Sequence, residues 1–164
     1  MRASSEGLKG SDAEIEIAAA PAVPAVAALD NPPLVVLGWK RSPVSESRPD
    51  PQQQLLATDM NSWSDAHPGG WLPPFRNGRF AIYRVRFSPR SATQTNGGKL
   101  LLRDVVGKAQ VWIDGKMVAE RSTADKADIS VPLSAATGER EVSVLIESAA
   151  KGESAGLGGV VTVE

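Results

Sequence analysis

The 164 residues suffice for one ordinary domain with a hydrophobic core plus an appendage, and are too few for a catalytic barrel with accessory modules. A formal net charge of −1, with no cluster of Lys and Arg, excludes general affinity for nucleic acid or an anionic membrane. The absence of cysteine removes disulfides and thiolate metal sites and leaves the compartment open, periplasmic or extracellular space included; a single histidine, His67, removes any His-rich metal centre.

Residues 1–18 read as the end of a preceding unit, closing with the alternation Ile15, Ile17 of a half-buried strand that cannot stand alone. The N-terminus lacks the basic region and apolar core of a secretory signal, so any signal is expected in a longer parent chain. From Ala19 to Pro33 the chain is rich in Ala, Pro and Val. Each proline fixes its own φ and pushes the residue before it toward extended conformations, which makes this stretch a semi-rigid spacer. The uncharged run from Ile17 to Leu29 holds Pro21 and Pro24 and falls short of the roughly 20 apolar residues of a membrane helix.

Leu34 to Trp39 is a short apolar run expected to form the first strand, with Trp39, beside Gly38, facing the core. The turn-rich segment from Asp59 to Trp71 follows. It gathers two tryptophans, an amide, carboxylates, an imidazole and a Gly-Gly pair. A pyranose ring presents an apolar C–H face and a rim of hydroxyls, so it is recognised by exposed aromatic faces beside planar polar groups. Trp63 and Trp71 are therefore candidate stacking platforms, with Asp59, Asn61 and Asp65 as hydroxyl readers. The plainer alternative is that one or both indoles plug an open end of the core. His67 with Ser62, Ser64 and Asp65 has the ingredients of a hydrolytic triad but not its arrangement, because all four crowd into a few loop positions beside Pro68.

Beyond the loop the pattern is strands and turns. Ala81, Tyr83, Val85 and Phe87 alternate with Ile82, Arg84 and Arg86, one apolar face against one mixed face whose arginines are expected to be solvated and paired with acids. Asn96, Gly97 and Gly98 mark a loop before the strand Leu100 to Val106. Ala109, Val111 and Ile113 then face one way and Gln110, Trp112 and Asp114 the other. This puts Trp112 on the outer face, where it is available to a ligand, to a neighbouring domain or to local packing. Asp114-Gly115 predicts a type I′ hairpin into Met117 to Glu120. Asp104, Asp125 and Asp128 are the carboxylates nearest to a structural calcium site, although the loop has no calcium-binding spacing. Ile129, Val131 and Leu133 alternate, then Val142, Val144 and Ile146, and finally Gly159, Val161 and Val163 after a turn containing Gly156 and Gly158. Eight or nine strands and no helix-length periodic segment predict an all-β fold, an antiparallel β-sandwich of jelly-roll type with an extended N-terminal segment.

The runs FAIYRVRFSP and GGKLLLRDVVGKAQVWIDGK resemble the sugar-binding, galactose-binding-like jelly-roll domains of glycoside hydrolase family 2. The resemblance rests on Tyr83 and Arg84, on Leu100 to Leu102, and on Ala109, Val111, Trp112, Ile113, Asp114, Gly115 and Lys116. The segment from Gly38 to Trp63 looks like the start of a C-terminal accessory domain of bacterial β-galactosidases, and Ser5 to Ala18 like the last strand of the immunoglobulin-like domain before it. The catalytic glutamates of that family lie on a barrel that this chain lacks. The resemblance thus implies a non-catalytic module without cofactor or resident metal, partnered by carbohydrate, galactoside or polysaccharide, and by the other domains of a parent β-galactosidase. Its rivals are a purely structural buttress and an independent hydrolase.

Overall fold

The computed structural model describes residue 7 and residues 33–53, 59–89 and 97–164. The chain divides into two units, Met1–Asp30 and Asn31–Glu164, and every strand named here belongs to the second. The expected remnant strand at residues 1–18 and nearly all of the spacer at 19–33 lie outside the described residues.

Among the described residues eleven strands form two antiparallel sheets, and four of the strands are only two residues long. The first sheet contains β1 (Leu34–Val35), β11 (Val161–Val163), β5 (Gly98–Val106) and β10 (Gly156–Leu157) in that order, with β8 (Ala127–Leu133) on the other edge of β5. The second runs β3 (Ser64–Asp65), β2 (Lys40–Arg41), β4 (Phe80–Phe87), β9 (Arg140–Glu147), β6 (Lys108–Ile113), β7 (Lys116–Arg121). The period-two alternation does what it predicts: Ala81, Tyr83, Val85, Val142, Val144, Ile146 and Val111 of one sheet bury against Leu100, Leu102, Val105, Val131 and Val161 of the other. At about 1.5–3 kcal/mol for each large apolar side chain fully buried, this shared core is what holds the two sheets together. The fold is the antiparallel β-sandwich of jelly-roll type that the strand pattern implies.

Two expectations need correction. Leu34 to Trp39 is not one strand. Gly38, at φ 84°, breaks it, so that β1 pairs with β11 in the first sheet while β2 pairs with β4 in the second. Between them the chain crosses from one sheet to the other. Trp39 turns into the core at 1% exposure, as expected, and donates its indole N–H to the Val36 carbonyl at 3.0 Å. Six apolar residues in a row do not distinguish a strand from a crossing that is buried for other reasons.

The second correction concerns the mixed face of β4. Arg84 is 1% exposed and Ile82 is buried. Arg84 donates from Nε to Ser143 Oγ at 2.8 Å, from Nη1 to the Gln53 carbonyl at 3.0 Å and from Nη2 to the Pro51 carbonyl at 2.9 Å, with Glu141 3.6 Å away. The segment from Ser45 to Gln53 thus straps across the outer face of the second sheet, held also by Arg48 on the Gln110 side chain and by Gln52 on the Gly115 carbonyl at 2.9 Å. Arg86 does follow the expectation, pairing with Glu141 at 2.9 Å on a half-exposed rim. Alternation along a strand says which residues share a face, but not whether a later or earlier segment covers it.

The hairpin joining β6 to β7 forms as predicted, with φ 50° at Asp114 and 77° at Gly115, the positive pair of a type I′ turn. The Asp114 carboxylate also accepts from Arg140 Nε at 2.7 Å and from the Glu141 N–H at 2.9 Å, which ties the turn to the start of β9.

Candidate functional site

Where the β2–β3 edge of one sheet approaches β10 of the other, a pocket of about 380 Å³ opens, lined by Arg41, Asp65, His67, Trp71, Tyr83 and Leu157 among others. Its size falls in the about 300–1,000 Å³ range of small-ligand sites, and most of its wall is apolar. The loop after β3 builds its rim. Pro68 followed by Gly69 at φ 89° has the signature of a type II turn, closed by the Gly70 N–H donating to the His67 carbonyl at 2.9 Å. This turn delivers Trp71 to the rim at 81% exposure. An indole that exposed gains almost nothing from the core, so packing does not account for its place there.

Tyr83 is the floor. Its hydroxyl donates to the Ala155 carbonyl at 3.3 Å, and its burial holds the phenol pKa above the ordinary tyrosine value, partly offset by the Arg41 guanidinium beside it. Gly156 makes that floor possible: a Cβ there would stand 2.2 Å from the tyrosine hydroxyl and 3.3 Å from Leu72. Gly158 and Gly159 likewise let the chain lie against β5, where their N–H groups donate to the carbonyls of Asp104 at 3.1 Å and Arg103 at 2.9 Å. The glycine cluster expected to be a turn is therefore also the route by which β10 and β11 follow one edge of β5 past its bulge at Arg103 and Asp104.

Asp65 stands on the pocket wall with Lys40 Nζ at 2.6 Å, and that hydrogen bond, then the lysine charge, holds its carboxyl below the usual aspartate value. Arg41 is half-buried. It makes no ion pair among the described residues, and its Nη1 is buried without a hydrogen-bond partner.

Of the candidates from the sequence, Trp71 and Asp65 come together at this pocket with His67. Trp63 does not line it. The Arg84 guanidinium carbon stands 5.7 Å from the Trp63 ring centroid, a cation–π contact that commits one indole face to the strap region. Asp59 opens a 3₁₀ turn, Asp59–Ser62, on which Asn61 is exposed. Trp112 lies on the outer face in register with Ser143, yet it is half-buried and its indole N–H has no partner among the described residues. Arg41, Tyr83 and Leu72 were not legible as site residues. Arg41 sits in a two-residue strand without periodicity, and Tyr83 alternates as an ordinary core position.

Asp104, Asp125 and Asp128 are otherwise engaged or apart: Asp104 pairs with Lys126 at 3.1 Å, and Asp128 accepts from the Asp104 N–H at 2.9 Å. Among the described residues no group of three or more His, Asp or Glu side chains is placed to hold a metal ion.

No family model matches the chain, and no curated protein does. Solved structures match. A β-glucuronidase from Bacteroides uniformis superposes with a TM-score of 0.61 at 16% identity, covering 80% of this chain and 17% of that one. For Faecalibacterium prausnitzii β-glucuronidase the TM-score is 0.62 at 12% identity, with 84% of this chain and 32% of that one covered. A glycosyl hydrolase family 2 member from Bacteroides cellulosilyticus gives 0.61 at 13% identity, with coverage of 80% and 20%. The chain spans less than a third of the length of each of these enzymes. At such identities the shared property is the fold, an antiparallel β-sandwich that occurs as one part of much longer glycoside hydrolases.

Proposed function

We propose that this chain is a non-catalytic carbohydrate-binding accessory module of a family 2 glycoside hydrolase of the β-galactosidase kind. In this reading residues 34–164 form the module, after a remnant of the preceding domain at 1–18 and a linker at 19–33. The observation that carries the proposal is Trp71, 81% exposed on the rim of a concave, mostly apolar pocket. Its ring offers a shelf for the C–H face of a sugar, while Asp65 and His67 stand where hydroxyls need partners. Such a site binds in the millimolar to micromolar range, about −4 to −8 kcal/mol, enough to hold polymeric substrate near a catalytic barrel through effective concentration. Hydrolysis by this chain itself is disfavoured because, of the residues lining the pocket, Asp65 alone carries a carboxylate, whereas glycosidic cleavage ordinarily takes two.

The test is titration of the chain with galactosides and galactose-containing polysaccharides, followed by tryptophan fluorescence and amide shifts. Saturation that disappears in Trp71→Ala, with thermal stability unchanged, supports binding. A flat response to every saccharide, acidic ones included, overturns it. The rival reading, a domain that only buttresses its parent enzyme, draws on Met117 and Val118, exposed on the edge strand β7.

A further inference from the structure

Arg41 is a cation in search of a counterion. It lines the pocket from β2, no carboxylate among the described residues pairs with it, and one of its terminal nitrogens is buried with its hydrogens unused. The carboxylate among the pocket-lining residues, Asp65, is already engaged by Lys40 at 2.6 Å, so the lysine and aspartate charges cancel and the arginine charge is left over. Buried unsatisfied donors are uncommon enough that each one demands an explanation, and an unpaired guanidinium in an apolar cleft more than most. A neutral sugar seated on Trp71 would make matters worse, because it would displace water from the guanidinium and return no charge.

We propose that the ligand of this pocket is an acidic saccharide, a uronic acid unit whose carboxylate is received by Arg41 while its ring stacks on Trp71. The planar fork of a guanidinium matches the two oxygens of a carboxylate, a pairing that is both charge-assisted and directional. Tyr83 does not meet that need: its hydroxyl donates to the Ala155 carbonyl and accepts from the Arg41 guanidinium, but as a neutral phenol it supplies no counter-charge. The inference rests on the reading of this pocket as a carbohydrate site and adds to it the charge of the sugar.

The experiment compares methyl glycosides and short oligomers of galacturonic and glucuronic acid with their galactose and glucose counterparts and with a sulfated galactoside. All are titrated into the 164-residue chain and followed by calorimetry and tryptophan fluorescence. The uronides are expected to bind about tenfold or more tightly than the neutral sugars, as a charge-assisted pair implies. Added salt should shrink that advantage. Arg41→Gln should abolish the preference while leaving weak neutral binding, Arg41→Lys should keep part of it, and Trp71→Ala should weaken both classes. Thermal melting of each variant checks folding. If Arg41→Gln does not fold, the salt titration of the native chain and the Arg41→Lys variant decide. Neutral sugars that bind as well as uronides, or a preference unchanged in Arg41→Gln, overturn this inference and leave the carbohydrate reading standing. Equal, Arg41-dependent binding of the sulfated galactoside overturns the carboxylate assignment. No saturation by any saccharide removes both.

Discussion

A guanidinium at 1% exposure must satisfy its donors within the protein, and Arg84 does so through Ser143 and two backbone carbonyls of the strap. Burial lowers its pKa, and Glu141 opposes that shift. Arg84→Met keeps the length of the side chain but strands the Pro51 and Gln53 carbonyls and removes the cation beneath Trp63. It is expected to cost about 2–4 kcal/mol in urea denaturation. At Gly156 the constraint is steric. A Cβ at 2.2 Å from the Tyr83 hydroxyl, on a residue at φ 138°, forces the tyrosine or β10 to move. Gly156→Ala should therefore lose about 2–4 kcal/mol and also weaken any ligand of the pocket, since Tyr83 is its floor. Trp71→Ala sits at the opposite extreme: at 81% exposure its stability effect should be within about 0.5 kcal/mol, so lost binding can be assigned to the ring itself.

Among the elements, the two-residue strands decide the site. β2 and β3 hold each other through one short register, Lys40 opposite Asp65 and Arg41 opposite Ser64, reinforced by the Lys40–Asp65 hydrogen bond. Because the folded carboxyl titrates below its unfolded value, the clamp contributes fully above the ordinary aspartate pKa of about 3.9 and is lost as the pH falls through the lower, folded value. The melting-temperature difference between the native chain and Asp65→Asn should hold steady from neutral pH downward, narrow below about pH 4 and close in stronger acid. A difference that instead grows on acidification would contradict the assigned pairing. The pair is exposed and screened, so high salt should also narrow the gap.

At the scale of the unit Asn31–Glu164, two sheets share one core with a pocket at its rim. The isolated chain is expected to release no chromophore from nitrophenyl galactosides or glucuronides, and measurable turnover that tracks the purified chain would overturn the non-catalytic reading. The inward sets of β4, β6 and β9 and the Asp114-Gly115 hairpin were legible in the sequence because they depend on neighbours two residues apart or on the φ of one dipeptide. Trp71 was also legible as an aromatic in a turn, since Pro68 and Gly69 announce the turn that exposes it. What tertiary structure alone decided is which distant segments meet. Arg84 is buried because residues 45–53 fold over it, Trp63 stacks on that arginine, and Arg41 faces Trp71 because β2 left the first sheet for the second at Gly38. Periodicity is a property of one strand, whereas burial and charge pairing are properties of what lies across from it, and that partner is chosen by the fold.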